Sequence, residues 1–98
     1  MALGPCPAGN FSTLNVAAST VIATTPATGP KRILFTIVVT TAGAAGAVYD
    51  TTTIGAIGAA NLIAVVPATV GPVVLNWPCS AGIVYIPGAA QVANFSFT

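Results

Sequence analysis

Alternation of apolar and polar residues is the dominant pattern along the chain. Its clearest instance runs from Lys31 to Thr41, where every second position is apolar: Ile33, Phe35, Ile37 and Val39. Successive side chains of a strand point to opposite faces, so this pattern predicts a strand with those four residues in the core. The other face mixes residue types in a way that suits a half-exposed sheet or a subunit contact: Arg32, Leu34, Thr36, Val38 and Thr40.

Shorter stretches of the same kind occur along the chain, and Pro directly follows three of them. They are Leu14–Ala18, Thr20–Thr24, Ala47–Thr52, Asn61–Val66, Val73–Trp77, Gly82–Ile86 and Gln91–Phe97. Seven or eight short strands with turn signals roughly every 8–12 residues predict an all-β fold, a small sandwich or barrel. Two further core faces are expected: Val73, Leu75 and Trp77 in one strand, and Ala93, Phe95 and Phe97 in another.

Two segments depart from this alternation. Ile54 to Leu62 is rich in Ala, which favours helix, but Gly55 and Gly58 each cost about 1 kcal/mol there. We expect a loop with at most one helical turn. Residues 1–12 are rich in Pro and Gly, so we divide the chain into an extended N-terminal arm, 1–12, and a β-sandwich domain, 13–98. The arm either lies across a neighbouring subunit or is a disordered tail.

Charge is almost absent. Of 98 residues only Lys31, Arg32 and Asp50 are charged and there is no histidine, whereas ordinary soluble domains are about 25% charged. The chain lacks a carboxylate pair and any His-activated nucleophile, so we expect no enzyme. No Cys/His spacing suits zinc, and we expect neither cofactor nor metal. We favour Cys79 as a small buried residue, and a disulfide with Cys6 stays open.

The same composition bears on partners. A net charge of +1 provides no basic stripe, so nucleic acid is not an expected ligand. The most apolar stretch, 54–75, contains Asn61, Pro67, Gly71 and Pro72, and these breakers argue against a membrane span. The first ten residues lack the basic and apolar regions of a signal peptide. We therefore expect neither membrane insertion nor secretion by a cleaved signal.

We expect structural roles for the three charged residues. We expect Asp50 to cap a turn or to pair with Lys31 or Arg32, because a general base would need a partner that the chain lacks. Lys31 and Arg32 start the strongest predicted strand. They either protect a strand edge or contact an acidic partner surface.

Four stretches carry a resemblance to known proteins: Gly43–Gly46 leading to Val48–Asp50, then Ile57–Ala64, Leu75–Val84 and Gly88–Val92. Trp77-Pro78-Cys79 followed by Gly82-Ile83-Val84 is the most specific part. Together they resemble a group of small β-rich proteins encoded in tailed bacteriophages and prophages. The resemblance implies a non-enzymatic virion component, such as a capsid decoration (cement) protein or a head-fibre or tail-associated subunit. Such proteins commonly form trimers of β-sandwich or jelly-roll-like domains.

The leading hypothesis is a homo-oligomeric, trimeric decoration protein that binds and stabilises the major capsid lattice. It would contact the major capsid protein or other virion proteins at the capsid surface, after assembly in the bacterial host cytoplasm. The candidate contact residues are Leu3, Pro5, Phe11, Lys31 and Arg32. One alternative is a tail- or fibre-associated module that recognises a host glycan through exposed Tyr49, Tyr85 or Trp77. Another is a membrane-inserting peptide such as a holin.

Overall fold

Eight strands and two short 3-10 turns make up the computed structural model, which describes residues 11–28 and 31–98. The strands are β1 (Phe11–Val16), β2 (Thr20–Thr24), β3 (Arg32–Thr41), β4 (Gly46–Tyr49), β5 (Leu62–Val66), β6 (Gly71–Cys79), β7 (Gly82–Ile86) and β8 (Val92–Phe97). Each strand overlaps a stretch that the alternation predicts, and β2 and β7 coincide with it exactly at both ends. The all-β prediction is confirmed.

The strands form two four-stranded antiparallel sheets. Sheet A has the order β1-β8-β3-β6 and sheet B the order β2-β7-β4-β5. The first strand pairs with the last, the second with the seventh, the third with the sixth and the fourth with the fifth. This nested pairing is what results when one long hairpin of four strand pairs is wound into two facing sheets, which is a jelly roll. The sandwich-like architecture expected from the sequence is therefore confirmed.

The core lies between the two sheets. Strand β8 contributes Ala93, Phe95 and Phe97, all at most 6% exposed, so the predicted core face of that strand is confirmed. From sheet B, Ile83 and Tyr85 pack into the same cluster. Val84, which lies between them on the other face of β7, is also fully buried. Strand β7 is therefore covered on both faces.

The predicted core face of β3 is wrong in its first half. The alternation places Ile33 and Phe35 in the core, but both are half-buried, and Leu34 is the fully buried residue. A β-bulge explains the difference: between Leu34 and Thr36, β3 advances by two residues while β8 advances by one. The extra residue reverses the parity of the strand, so Leu34 lies on the same face as Ile37.

The predicted burial of Trp77 is also wrong. Val73 and Leu75 pack against the core as expected, but Trp77 is 49% exposed. Strand β6 is an edge of sheet A, and its register with β3 shifts beside Asn76, which has a φ of 49°. None of the strands in the described residues pairs with the outer edge of β6, so a side chain as large as Trp77 stays partly in solvent.

The segment between β4 and β5 contains only the turns Ile54–Ala56 and Ala59–Asn61. The Asn61 side chain holds it together, accepting from the Gly58 N–H at 2.9 Å and donating to the Ala56 carbonyl at 2.9 Å. The expectation of a loop in place of a helix is confirmed. Within the described part of the chain, no helix is long and apolar enough to cross a membrane.

Gln91 connects the two sheets at one end of the sandwich. The side chain is fully buried, and its Oε1 accepts a hydrogen bond from the Tyr85 hydroxyl at 2.5 Å. Its Nε2 donates to the Pro67 carbonyl at 2.9 Å, just after β5. Nearby, a Cβ on Gly88 would clash with the carbonyl oxygen of Ala44, so the β7–β8 turn depends on glycine to approach the β3–β4 loop.

Candidate partner-binding site

Arg32 is the best-defined of the candidate contact residues. It begins β3, is half-buried, and its guanidinium carbon lies 5.7 Å from the ring centre of Phe11 and 5.6 Å from that of Phe97. Its Nε donates to the Thr24 carbonyl at 2.6 Å, and an Nη donates to the Thr98 oxygen at 2.8 Å. Cation–π attraction and these two hydrogen bonds fix the guanidinium in one place.

An open groove of about 440 Å³ runs beside this guanidinium. Phe11 and Ser12 of β1 line one side, and Ile22, Ala23 and Thr24 of β2 line the other, with Arg32 and Phe97 between them. Since β1 is an edge of sheet A and β2 an edge of sheet B, the groove follows one open side of the sandwich. We call it the β1–β2 groove.

Asp50 lies elsewhere and has a structural role. Its two carboxylate oxygens accept hydrogen bonds from the backbone amides of Ser80, Ala81 and Gly82 at 2.8, 2.7 and 3.1 Å. Partial burial raises the pKa of Asp50, but these three bonds and the charge of Lys31 outweigh burial, so the pKa lies below its usual value. Of the two roles expected for Asp50, capping a turn is confirmed.

Only two of the five predicted contact residues lie together in the structure. Leu3 and Pro5 lie outside the described residues, as does most of the predicted arm 1–12. Phe11 and Ser12, the last residues of that arm, belong to β1 and pair with β8. Phe11 is 52% exposed and is brought together with Arg32, whereas Lys31 is exposed and does not line the groove.

A second surface was not among the predicted contacts. The edge strands β5 and β6 lie on the opposite side of the sandwich, and since Val66 and Val73 pack on the core, Val65 and Val74 point away from it on different sheets. These two strands and the loop between them expose five large apolar side chains. They are Leu62 (42%), Val65 (60%), Val70 (64%), Val74 (67%) and Trp77 (49%). We call this surface the β5–β6 side. The sequence contains one signal for it, the absence of any charged residue after Asp50.

The three aromatic residues proposed for glycan binding, Tyr49, Tyr85 and Trp77, differ in their exposure to solvent. Tyr85 is fully buried, and burial raises the pKa of its hydroxyl to about 12, so the expectation that it could form an exposed binding site is wrong. Tyr49 is half-buried. Trp77 is the one of the three with half of its side chain in solvent.

Cys79 is a fully buried free thiol at the end of β6, and burial raises its pKa to about 11. A thiol with so high a pKa is almost entirely protonated at neutral pH and is a poor nucleophile. The expected role as a small buried residue is confirmed. Cys6, its only possible intrachain partner, lies outside the described residues.

Comparisons with known proteins do not identify a family for this chain. The chain matches no protein-family model, no curated protein and no solved structure. The functional argument therefore depends on the geometry and the composition of the surface.

Proposed function

We propose that this chain is a capsid decoration (cement) protein that binds the major capsid protein of a tailed bacteriophage as a homo-oligomer, most simply a trimer. The observation that carries the proposal is an apolar surface almost without charge. Ten large apolar side chains in the described part of the chain are at least 37% exposed, in a protein with three charged residues.

Such a surface is unusual for a freely soluble monomer, because exposed large apolar side chains with few charges around them are typical of surfaces that bind other macromolecules. Obligate interfaces of roughly 2,000 Å² or more are typically apolar, and their cores are depleted of charge. A subunit that is surrounded by copies of itself and by a shell needs few charged groups for solubility. The β5–β6 side, with five exposed large apolar residues, is the surface we assign to these contacts.

The fold is compatible with this role but does not decide it. Jelly rolls occur in viral capsid domains and equally in lectins, and a fold by itself does not determine function. An oligomer adds one physical advantage, because several weak contacts on one lattice combine into strong binding. Binding to the assembled shell alone would also stabilise the assembled state.

The test is the composition of purified phage particles. Mass spectrometry before and after mild dissociation is expected to find the chain at a copy number comparable to that of the major capsid protein. Val74→Lys places a charge on the β5–β6 side and is expected to abolish rebinding to stripped particles. Thr53→Lys, at an exposed position in the β4–β5 segment, is the matched control and should rebind. Absence of the chain from particles contradicts the proposal.

A second experiment addresses the arm. A chain without residues 1–10 is expected to bind particles less tightly and to protect them less against heat. Unchanged binding and heat resistance would show that the arm has no part in the contact, and the β5–β6 side would remain the proposed surface.

One observation favours a second candidate function, a glycan-binding module: the half-exposed indole of Trp77 could stack on a sugar ring. The fluorescence of this single tryptophan distinguishes the two functions. In the isolated chain, acrylamide should quench it, since 49% of the side chain is in solvent. For a decoration protein, added mono- and oligosaccharides leave the emission unchanged, whereas a saturable blue shift would favour the glycan-binding module.

A further inference from the structure

The two sheets of the described residues end in four edge strands, β1 and β6 in sheet A and β2 and β5 in sheet B. Edge strands present unpaired backbone groups that readily pair with another chain, and proteins commonly block them with charged side chains, prolines or bulges. Charge is scarce here: of the three charged residues, only Arg32 lies in a strand. The edges of this chain therefore need other means of protection.

The first of these means is a proline in β6. Both backbone groups of Ile33 face β8, because its carbonyl accepts from the Thr98 amide at 3.0 Å and its amide donates to the Thr98 hydroxyl at 2.9 Å. The residue of β6 opposite Ile33 is Pro78. In an antiparallel ladder, two opposite residues without a hydrogen bond between them direct their backbone groups away from each other. The nitrogen of Pro78, which has no hydrogen to donate, therefore faces the outer edge of β6.

A second proline occupies the equivalent place at the other end of β6. Strand β8 alternates regularly, so Asn94 directs its backbone groups to β3, as Thr98 does, and pairs there with Val38. The groups of Val38 are therefore turned away from its partner on the other side, Pro72, whose nitrogen also faces outward. Between the two prolines, Asn76 has a φ of 49° beside the register shift. The outer edge of β6 thus lacks two donors and is bent in the middle.

Arg32 protects the edge of β2 in a different way. The amide of Thr25 donates to the Ala81 carbonyl at 2.9 Å, next to the opposite residues Thr24 and Gly82. This arrangement places the backbone groups of Thr24 on the outer side of β2. The Thr24 carbonyl accepts a hydrogen bond from the Arg32 Nε at 2.6 Å. An added strand would have to displace a guanidinium that two aromatic rings and a further hydrogen bond also hold in place.

The other two edges are irregular. In β1, Asn15 has a φ of 57° at a bulge, and its amide donates to the side-chain oxygen of Asn94 at 2.8 Å. Strand β5 has five residues, its register with β4 shifts between Leu62 and Ala64, and Pro67 follows it directly. Short or bent edges offer few consecutive groups to an incoming strand.

We propose that this chain contacts its partners through side chains and not by strand pairing, and that Arg32 closes the β2 edge, so that its loss lets β2 pair with a second copy of the chain. The prolines of β6 bear directly on the β5–β6 side, because they leave its exposed apolar side chains as the means of contact. The proposal does not depend on the decoration function, since every test of it uses the isolated chain.

The first test compares the assembly of Arg32→Gln with that of the native chain. Arg32→Gln is expected to form β-rich assemblies at least about tenfold faster, because the outward carbonyl of Thr24 becomes available. Thioflavin T fluorescence and light scattering at equal concentrations measure the rate. Lys31→Gln removes the same charge from an exposed position and is expected to behave like the native chain. Equal rates for Arg32→Gln and the native chain overturn the proposal, as does an equal acceleration by Lys31→Gln.

A destabilised variant with intact edges controls for unfolding. Gln91 is fully buried, so Gln91→Met weakens the interior and leaves the four edges unchanged. If it assembles as fast as Arg32→Gln, assembly reflects unfolding and the proposal is overturned. Hydrogen exchange read by mass spectrometry locates the contact: assemblies of Arg32→Gln are expected to gain protection in β2. A gain confined to other segments contradicts the proposal.

The prolines of β6 are tested in the same way. Pro72→Thr combined with Pro78→Thr restores two outward donors and is expected to speed assembly, with new protection in β6. Pro26→Thr, at an exposed position outside the strands, is the matched control and should leave the rate unchanged. No acceleration by the double variant, or the same acceleration by the control, overturns the proposal for β6.

Discussion

The Gln91 end of the sandwich and the β5–β6 side are neighbours with opposite character. At the Gln91 end, a polar side chain is fully buried and both ends of its amide find partners, Tyr85 on one side and Pro67 on the other. On the β5–β6 side, Val65 and Val74 are apolar and more than half exposed. The usual distribution of polar and apolar residues is therefore reversed at both places.

The two reversals differ in what compensates for them. No buried side-chain nitrogen or oxygen in the described part of the chain lacks a hydrogen bond, so the buried amide is fully compensated inside the monomer. The exposed valines have no such compensation within residues 11–28 and 31–98, and the proposed association is what would bury them. The first region therefore contributes to the stability of the monomer, and the second is the surface that we propose for association.

The largest effect is expected from Gln91→Met, which preserves the size and shape of the side chain and removes its hydrogen bonds. The hydroxyl of the fully buried Tyr85 would lose its partner, and the Gly88 N–H and the Pro67 carbonyl would each lose a hydrogen bond, at a combined cost of about 3 kcal/mol of unfolding free energy. Urea denaturation followed by circular dichroism measures it. A loss below about 0.5 kcal/mol would show that the amide contributes little.

A double-mutant cycle serves as the control for this substitution. Tyr85→Phe together with Gln91→Met removes both partners of the 2.5 Å hydrogen bond, so the double variant is expected to lose clearly less than the sum of the two single losses. Simple additivity would mean that the two side chains act independently.

Val65 and Val66 provide a matched pair at the boundary between the regions. Val66 is fully buried in the core cluster and Val65 is 60% exposed, although they are adjacent in β5. Val66→Thr is expected to lose about 2 kcal/mol of unfolding free energy because it buries a hydroxyl, and Val65→Thr should change it by less than about 0.5 kcal/mol. Equal losses at the two positions would show that the β5–β6 side is part of the core and would weaken its assignment to association.

Much of the fold could be predicted from the sequence because alternation and turn residues are local signals. The ends of β2 and β7 and the core face of β8 follow directly from them. The failures at Leu34 and Trp77 both lie beside a register shift but differ in cause. At Leu34 the extra residue reverses the parity of β3, whereas Trp77 keeps the parity of Val73 and Leu75 and is exposed on the edge strand β6. Asn76 was the one available local sign, because asparagine adopts a positive φ more readily than other non-glycine residues.

The candidate site was less accessible to sequence reasoning. Phe11 could be selected because it is a large apolar residue of the predicted arm. Arg32 could be selected because it is one of only three charged residues in the sequence. Their contact with Thr24 and Phe97 depends on the strand order, which brings β1, β2, β3 and β8 to one open side of the sandwich. Likewise, the buried Tyr85 hydroxyl finds its acceptor in Gln91, six residues away across a turn whose conformation the alternation does not determine.

The smallest expected effect concerns Asp50, the only acidic side chain and the group whose pH dependence is easiest to isolate. The pKa of Asp50 in the folded chain lies below the usual value for an aspartate, so its contribution to stability is fully present at neutral pH and is lost as the pH falls through the folded pKa. Asp50→Asn keeps the size but weakens the three amide contacts, and should lose about 1–2 kcal/mol at pH 7. Denaturation midpoints between pH 2 and pH 7 should fall in acid for the native chain and stay nearly constant for the variant. A parallel acid-induced fall in both would mean that Asp50 does not carry the pH dependence, and that the turn at Ser80–Gly82 is held by its backbone alone.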